Sequence, residues 1–151
     1  MALTKINNNT LSAVTTLPSA IATGKVLQVV TATDSTPRGT SSTSFTLASS
    51  SLTLNITPSA TSSKIFVTFS SNVYNATSGN NVFVSIFKDS TNLGTTNEGF
   101  CRITSGSGTV LVPATSSVLD SPSSTSQITY GVKLSHSSGS TQSIYINLSF
   151  F

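Results

Sequence analysis

The chain has 151 residues, of which 31 are Ser and 25 are Thr, while only seven are basic and four acidic. Its eight Phe, three Tyr and many branched aliphatic residues exclude a disordered chain, because disorder requires few apolar residues and high net charge. The single Cys excludes an intrachain disulfide, and no stretch approaches the roughly 20 apolar residues of a membrane-spanning helix. The length indicates one domain.

The net charge of +3 does not predict nucleic-acid binding, because no two basic residues lie within ten positions of each other. Phosphate binding needs several cations on one surface. The single Glu and the abundance of Val, Ile, Thr and Phe favour strands over helices. We therefore expect an all-β fold.

Residues 1–23 differ from the rest of the chain. They contain clusters of Asn and Thr and one Pro, and show no sustained alternation of apolar and polar residues. We interpret them as an attachment arm, with a flexible tail as the alternative. The apolar residues expected to dock this arm are Leu3, Ile6, Leu11, Val14, Leu17 and Ile21.

Residues 24–151 predict one β-sandwich or jelly-roll domain of about eight or nine short strands separated by regularly spaced turns. In the strand at 64–74, Ile65, Val67 and Phe69 point to one face. We expect the last two strands to form a hairpin. The predicted strands cover 25–33, two short stretches of 44–57, 64–74, 82–88, 99–103, 108–113 (where Pro113 marks an edge or an end), 127–134 and 142–151.

Several strands carry an aromatic residue on their second face. A sandwich monomer needs only one apolar face on each strand, so these residues predict a subunit interface. The alternative is that loops of the same chain cover some of them. The residues are Phe66, Phe83, Phe87, Tyr145 and Phe151.

Three polar loops, at 75–81, 104–108 and 135–141, are the candidate recognition surface. Loops carry binding residues more often than the strands that support them. The loop residues that we expect to be exposed are Asn75, Ser78, Asn80, Asn81, Ser105, Ser107, His136 and Ser138.

The chain has few acidic residues that could act in catalysis. They are Asp34, Asp89, Glu98 and Asp120. A glycosidase needs two carboxylates facing one sugar. Asp89 and Asp120 each open a turn, where Asp commonly bonds its own backbone, so we interpret both as capping groups.

His136 is the only histidine, and with so many serines a match to a Ser–His–Asp triad carries little information. We expect it in an exposed loop. As an alternative, three copies in a threefold oligomer would meet on the axis and bind a metal or anion. Cys101 has no His or other Cys near it in sequence, which favours a small buried side chain or an inert thiol. With no metal-ligand spacing or phosphate loop in the sequence, we expect a protein without cofactors that is not an enzyme.

Four stretches occur here in a characteristic order: "GKVLQVV", "ITPSATSSKIFV", "VFVSIFKDSTNLG" and "LDSPSSTSQITYGVKL", followed by "IYINLSF". Together they resemble a family of short bacteriophage virion and tail-fibre-like proteins over about residues 24–151. The resemblance implies a jelly-roll module similar to tumour-necrosis-factor-like heads, trimeric and displayed on the particle exterior. It carries no catalytic motif.

Two virion functions follow from the resemblance: a short trimeric fibre or tip module that contacts a host glycan or protein, and a capsid decoration protein. The arm lacks heptads or a glycine-rich shaft, which favours a compact tip or a decoration protein over a long fibre. A carbohydrate-active enzyme is a weaker alternative. The expected partners are copies of the chain itself, other virion proteins through the arm, and possible host receptors, with no nucleic acid and no membrane insertion. We expect synthesis in the host cytoplasm and localisation on the virion surface.

Overall fold

The computed structural model describes residues 26–138 and the backbone of residues 142–144. Within these ranges ten strands form, and the only helical element is a 3-10 turn at Ser50–Leu52. No helix here is long and apolar enough to cross a membrane. The strands are β1 (Arg38–Thr40), β2 (Thr46–Leu47), β3 (Thr53–Ile56), β4 (Ile65–Asn75), β5 (Asn81–Lys88), β6 (Thr91–Asn92), β7 (Cys101–Thr104), β8 (Val110–Asp120), β9 (Ile128–His136) and β10 (Gln142–Ile144).

β9 and β5 form the centre of the first sheet and pair antiparallel, with Val82 opposite His136 and Lys88 opposite Tyr130. On the other side of β9, β3 and β2 pair with successive parts of the strand. β6 and β7 pair in the same way with the outer side of β5. The antiparallel pairing lets one face of this sheet pack on the core while the other meets loops or solvent.

β4 and β8 form the second sheet and pair along eleven residues, from Ile65 opposite Asp120 to Asn75 opposite Val110. β1 pairs with β10, and β10 lies beside β4. Among the described residues β8 has no partner except β4. This edge position accommodates Pro113, which has no N–H to donate to a second neighbour.

The core lies between the two sheets and is built from alternate positions of the long strands. β4 directs Ile65, Val67, Phe69 and Val73 inward, which confirms the predicted inward face of that strand. The prediction of an all-β sandwich is also confirmed. The buried apolar cluster consists of Leu52, Ile65, Val67, Phe69, Val73, Val82, Val84, Ile86, Ile103, Ala114, Ile128, Tyr130, Val132 and Leu134.

Two sequence predictions about strands are wrong. The predicted strand at 25–33 is absent over residues 26–33, where an apolar segment forms no backbone ladder with its neighbours. The predicted strand at 108–113 starts at Val110 and continues through Pro113 to Asp120, because an edge strand tolerates proline.

The predicted hairpin between the last two strands is also wrong over the residues that the structure describes. β9 pairs with β2, β3 and β5, whereas β10 pairs with β1. Sequence adjacency and matched alternation do not determine pairing when a strand crosses from one sheet to the other. The predicted strand beyond residue 144 lies outside the described residues.

Leu52 tests the energetic role of the core. Its side chain is completely buried, and truncating a buried leucine leaves a cavity, so we expect Leu52→Ala to lower the free energy of unfolding by about 2–5 kcal/mol. Leu47→Ala is the matched control, since Leu47 is 41% exposed and its loss should cost less than about 1 kcal/mol. Urea unfolding measures both values. Equal losses for the two variants would contradict the placement of the core.

Candidate functional site

Three connections meet at one end of the sandwich: residues 76–80, 105–109 and 137–138, which we call the loop end. The Ser78 hydroxyl donates to the carbonyl of Gly106 at 3.0 Å, which joins the first two connections. The three loops proposed from the sequence are therefore brought together over the residues that the structure describes.

Backbone hydrogen bonds hold the loop end together. The Gly79 N–H donates to the Ser105 carbonyl at 2.6 Å, and the Ser105 N–H donates to the Asn80 carbonyl at 3.1 Å. The third connection bonds to the start of β5, where the Ser137 N–H donates to the carbonyl of Asn81 at 3.0 Å. In return, the Asn81 N–H donates to the Ser137 hydroxyl at 2.9 Å.

The buried side chain of Asn75 holds the first loop in place through hydrogen bonds. Its side-chain amide donates to the carbonyls of Asn80, at 2.9 Å, and Ile103, at 3.3 Å, and its Oδ1 accepts from the N–H of Thr77 at 3.3 Å. Gly79 adopts a φ of +77°, a left-handed conformation that glycine enters without the steric cost of a Cβ. The loop is therefore shaped by a buried amide and one glycine.

His136 ends β9 at an inward-facing position and is only 1% exposed. Its backbone N–H donates to the Ser42 carbonyl at 2.8 Å, and its Nδ1 accepts from the N–H of Ser138 at 3.3 Å. Its Nε2 is buried and has no hydrogen-bond partner among the described residues. Desolvation by burial lowers the pKa of the imidazole, because the charged form loses its contact with water.

The prediction that Asn75, Ser105 and His136 are exposed is wrong, since all three are buried. Asn75 continues the inward-facing series of β4, and His136 continues that of β9, because both strands extend further than the sequence indicated. Ser105 is buried because its hydroxyl donates to the carbonyl of Gly108. The burial of His136 also prevents contact between copies of this side chain on a symmetry axis.

The exposed part of the loop end consists of small hydroxyl side chains. Ser78, Ser107 and Ser138 are exposed as predicted, while Asn80 and Asn81 are half-buried. The Asn81 Oδ1 accepts from Arg102 Nε at 3.2 Å and from Thr104 Oγ1 at 2.6 Å. This surface can offer hydrogen bonds to a glycan or a protein.

The carboxylates bond to different partners in different parts of the structure. Asp34 accepts from the Ser49 hydroxyl at 2.7 Å and from the N–H of Thr36 at 2.9 Å, and pairs with Arg38 at 2.9 Å. The bond from Ser49 is the main reason why the pKa of Asp34 lies well below its ordinary value. Glu98 pairs with Arg102 at 2.9 Å on the exposed surface.

Asp120 lies on the inner side of the second sheet and bonds to the first. It accepts from the Tyr130 hydroxyl at 2.5 Å and pairs with Lys88 Nζ at 3.2 Å. Partial burial acts to raise the pKa of this carboxyl, but the bonds from Tyr130 and Lys88 outweigh it and hold the pKa below its usual value. The same carboxylate accepts from the backbone of Ser121, so the predicted turn cap accounts for only part of its role.

Asp89 lies in the turn after β5 as predicted, but its carboxylate bonds the backbone of β9 and not that of its own turn. Its φ is +52°, a conformation that Asp tolerates better than most residues. Its Oδ1 accepts from the N–H of Thr129 at 3.1 Å, and its own N–H donates to the Thr129 carbonyl at 2.7 Å. Among the described residues, no group of three or more His, Cys, Asp or Glu side chains is arranged to hold a metal ion.

A second candidate site is the outer face of the second sheet. Its outward side chains, from residues 66, 68, 70, 72 and 74 of β4 and 111, 113, 115, 117 and 119 of β8, carry no charge. Phe66 lies opposite Leu119 at one end and Tyr74 opposite Leu111 at the other. Phe66, Leu111 and Leu119 are 60%, 59% and 63% exposed. Small hydroxyl and amide side chains and Pro113 occupy the positions between these ends.

An apolar cavity of about 890 Å³ adjoins this face. It lies between residues 26–30, the connection from β3 to β4, and the first residues of β4. Phe66 belongs both to the cavity wall and to the outer face, and Val26, Leu27 and Val29 line the cavity while remaining exposed. We call the six exposed residues Val26, Leu27, Val29, Phe66, Leu111 and Leu119 the apolar surface.

The aromatic residues predicted at a subunit interface differ in exposure. Phe66 is exposed, and Phe83 is half-buried. Phe87 is wrong as an interface residue, because it is only 7% exposed and is covered by Phe45, at a ring distance of 5.4 Å, and by Lys133 Nζ, at 4.2 Å. Tyr145 and Phe151 lie outside the described residues, as do the arm residues Leu3, Ile6, Leu11, Val14, Leu17 and Ile21.

Sequence reasoning missed Leu111 and Leu119, although a signal was present. In "VLVPATSSVLD" these leucines fall on the opposite parity to Val110, Val112 and Val118, so they point away from the core once those valines point inward. The bonds from Tyr130 and Lys88 to Asp120 carried no such signal, because the three residues are far apart in sequence.

No family model matches the chain, and no curated protein matches it significantly. The candidate function therefore rests on the residues and the geometry described above.

The Tyr130–Asp120 bond should stabilise the sandwich. Tyr130 is 2% exposed, and a hydrogen bond to a charged group contributes about 1.5–3 kcal/mol, so we expect Tyr130→Phe to lower the free energy of unfolding by that amount. A double-mutant cycle with Asp120→Asn isolates the pair. Strictly additive losses in the cycle would show that the two groups do not interact.

His136 should make stability depend on pH below about pH 7. Burial lowers its folded-state pKa below the value of about 6.5 expected for the unfolded chain. Acidification therefore protonates the unfolded state first. Stability is complete above about pH 7 and is lost as the pH falls towards the folded-state pKa.

Thermal unfolding of the wild type and of His136→Gln across this pH range measures the effect. For a domain of this size, each kcal/mol lost lowers the Tm by about 2–4 °C. His136→Gln should have a nearly flat profile, because the chain has no other histidine. Parallel profiles for the two proteins would show that His136 is not the titrating group.

Proposed function

We propose that this chain is a non-enzymatic structural protein of a bacteriophage particle, displayed on its exterior as a short trimeric fibre or tip module. The observation that carries the proposal is the apolar surface. Six of the seven large apolar residues that are strongly exposed belong to it, among the residues that the structure describes. Phe66 lies beside Val26, Leu27 and Val29 at the cavity, and an exposed apolar patch of this kind is typical of a protein that assembles with others.

The distribution of ionisable groups supports a structural rather than a catalytic role. Asp34, Glu98 and Asp120 each pair with a basic side chain, and Asp89 bonds the backbone of β9. Acid–base catalysis needs a group with a suitable pKa within reach of a substrate. Bonds of this kind instead lower the pKa of Asp34 and Asp120 and keep these carboxylates ionised.

The resemblance of residues 24–151 to short phage virion proteins supplies the biological setting. In that setting residues 1–23 attach the chain to another virion protein. The loop end, with exposed Ser78, Ser107 and Ser138, is the part proposed to contact a glycan or protein of the host surface.

A capsid decoration protein is the second candidate. It is favoured by the chemistry of the loop end, where the described connections hold no aromatic side chain. Base- or sugar-like rings usually bind against such side chains through stacking and apolar contact. A decoration protein needs only to contact its neighbours and need not recognise a host.

Deletion of residues 1–23 tests the proposal. We expect the wild-type chain to be present in purified particles of the phage that encodes it, and the deletion variant to fold but to be absent from them. Quantitative mass spectrometry of the particles measures incorporation, and circular dichroism of the purified variant provides the control for folding. Absence of the wild-type chain from particles would refute the virion function.

The same deletion separates the two candidates. Loss of capsid stability to heat or osmotic shock indicates a decoration protein. Retained capsid stability with reduced adsorption to host cells indicates a fibre or tip module.

A further inference from the structure

We propose that the outer face of the β4–β8 sheet is the surface through which one copy of this chain binds another. The inference rests on the proposed assembly of several copies, and adds which face they share. It is tested on the free chain, so that failure of this contact and failure of the virion function can be observed separately.

The pattern of the face makes it complementary to itself. The Ser70–Thr115 pair lies at the centre, where the two hydroxyls are 3.0 Å apart. Four residues along the strands from this centre, the Phe66–Leu119 pair lies at one end and the Tyr74–Leu111 pair lies at the other. When this face of each copy points towards a symmetry axis that runs along the strands, the apolar ends of neighbouring copies meet each other, and so do the uncharged polar middles.

Charge also favours a second copy as the occupant. None of the ten outward side chains of the face is charged, so a basic or acidic partner gains no ion pair there and loses hydration. Ser and Thr hydroxyls both donate and accept hydrogen bonds, and can therefore pair with the same residues of another copy.

The face alone is smaller than a standard protein–protein interface, and the neighbouring apolar residues enlarge it. Two paired strands of eleven residues present a face of roughly 35 Å by 10 Å, or about 350 Å². A standard interface buries about 800 Å² on each partner. Phe66 connects the face to Val26, Leu27 and Val29 around the cavity, and this extension supplies further apolar area at the same contact.

The other sheet offers no comparable face among the described residues. Phe45 and Lys133 cover Phe87 on its outer side, and the one strongly exposed large apolar residue there is Leu47. Leu47 lies opposite Lys133 in the β2–β9 pairing, so a charge lies directly beside it. Leu47 therefore provides a matched control position.

Sedimentation equilibrium of the full 151-residue chain over a wide concentration range tests the contact. We expect the wild type to form a closed oligomer of two or three copies. Leu119→Glu and Leu111→Glu place a charge at opposite ends of the face, and each should raise the dissociation constant at least about tenfold, because a buried unpaired charge is costly. Leu47→Glu should leave it unchanged.

Effects on assembly can be separated from misfolding, since each of the three substituted leucines is exposed in the single chain. Circular dichroism and the Tm of the monomeric variants should match those of the wild-type monomer at high dilution. A wild type that stays monomeric would overturn the proposal. So would an oligomer that survives both Leu119→Glu and Leu111→Glu, or one that Leu47→Glu disrupts equally.

Discussion

The antiparallel pairing of β4 with β8 is the constraint on which the rest of this structure depends. Over eleven residues it fixes which side chains of both strands point inward and which point outward. The inward side chains, among them Phe69 and Val73, lie in the core. The outward side chains Phe66, Leu111 and Leu119 are exposed to solvent. A shift of one residue would exchange the two sets, so the core and the apolar surface are determined together.

The few charged groups contribute at specific points rather than across the surface. Asp120 joins the two sheets through Tyr130 and Lys88, and Asp34 holds residues 34–38 to Ser49. The Arg102–Glu98 pair is exposed and contributes little, as surface pairs usually do. Stability is therefore supplied mainly by apolar burial, which salt does not screen.

The sequence predicts three of the four long strands well because their periodicity has a direct physical cause, whereas it predicts β8 only as far as Pro113. β4, β5 and β9 appear as runs of strand-forming residues in the sequence, and the inward face of β4 follows from Ile65, Val67 and Phe69. Pairing is less predictable. β10 joins β1 rather than β9, because the choice depends on how the sheets stack, and local alternation does not encode that.

The candidate sites were likewise predictable from the sequence only in part. The three loops could be proposed from composition, and the structure brings them together, but composition could not show that His136 and Asn75 lie on inward-facing positions. Those positions depend on strand length, and a loop-like sequence such as "SHSSG" hides the last residues of β9. The outer leucines were predictable in principle, since parity alone places Leu111 and Leu119 opposite the valines of β8.

We propose that copies of this chain meet through the outer face of β4–β8 in an assembled particle. An electron cryo-microscopy map of the particle tests it most directly. We expect neighbouring copies to bury Phe66, Leu111 and Leu119 between them, with the loop end pointing away from the contact. A map in which this face is exposed to solvent, or in which the chain is absent, would contradict it.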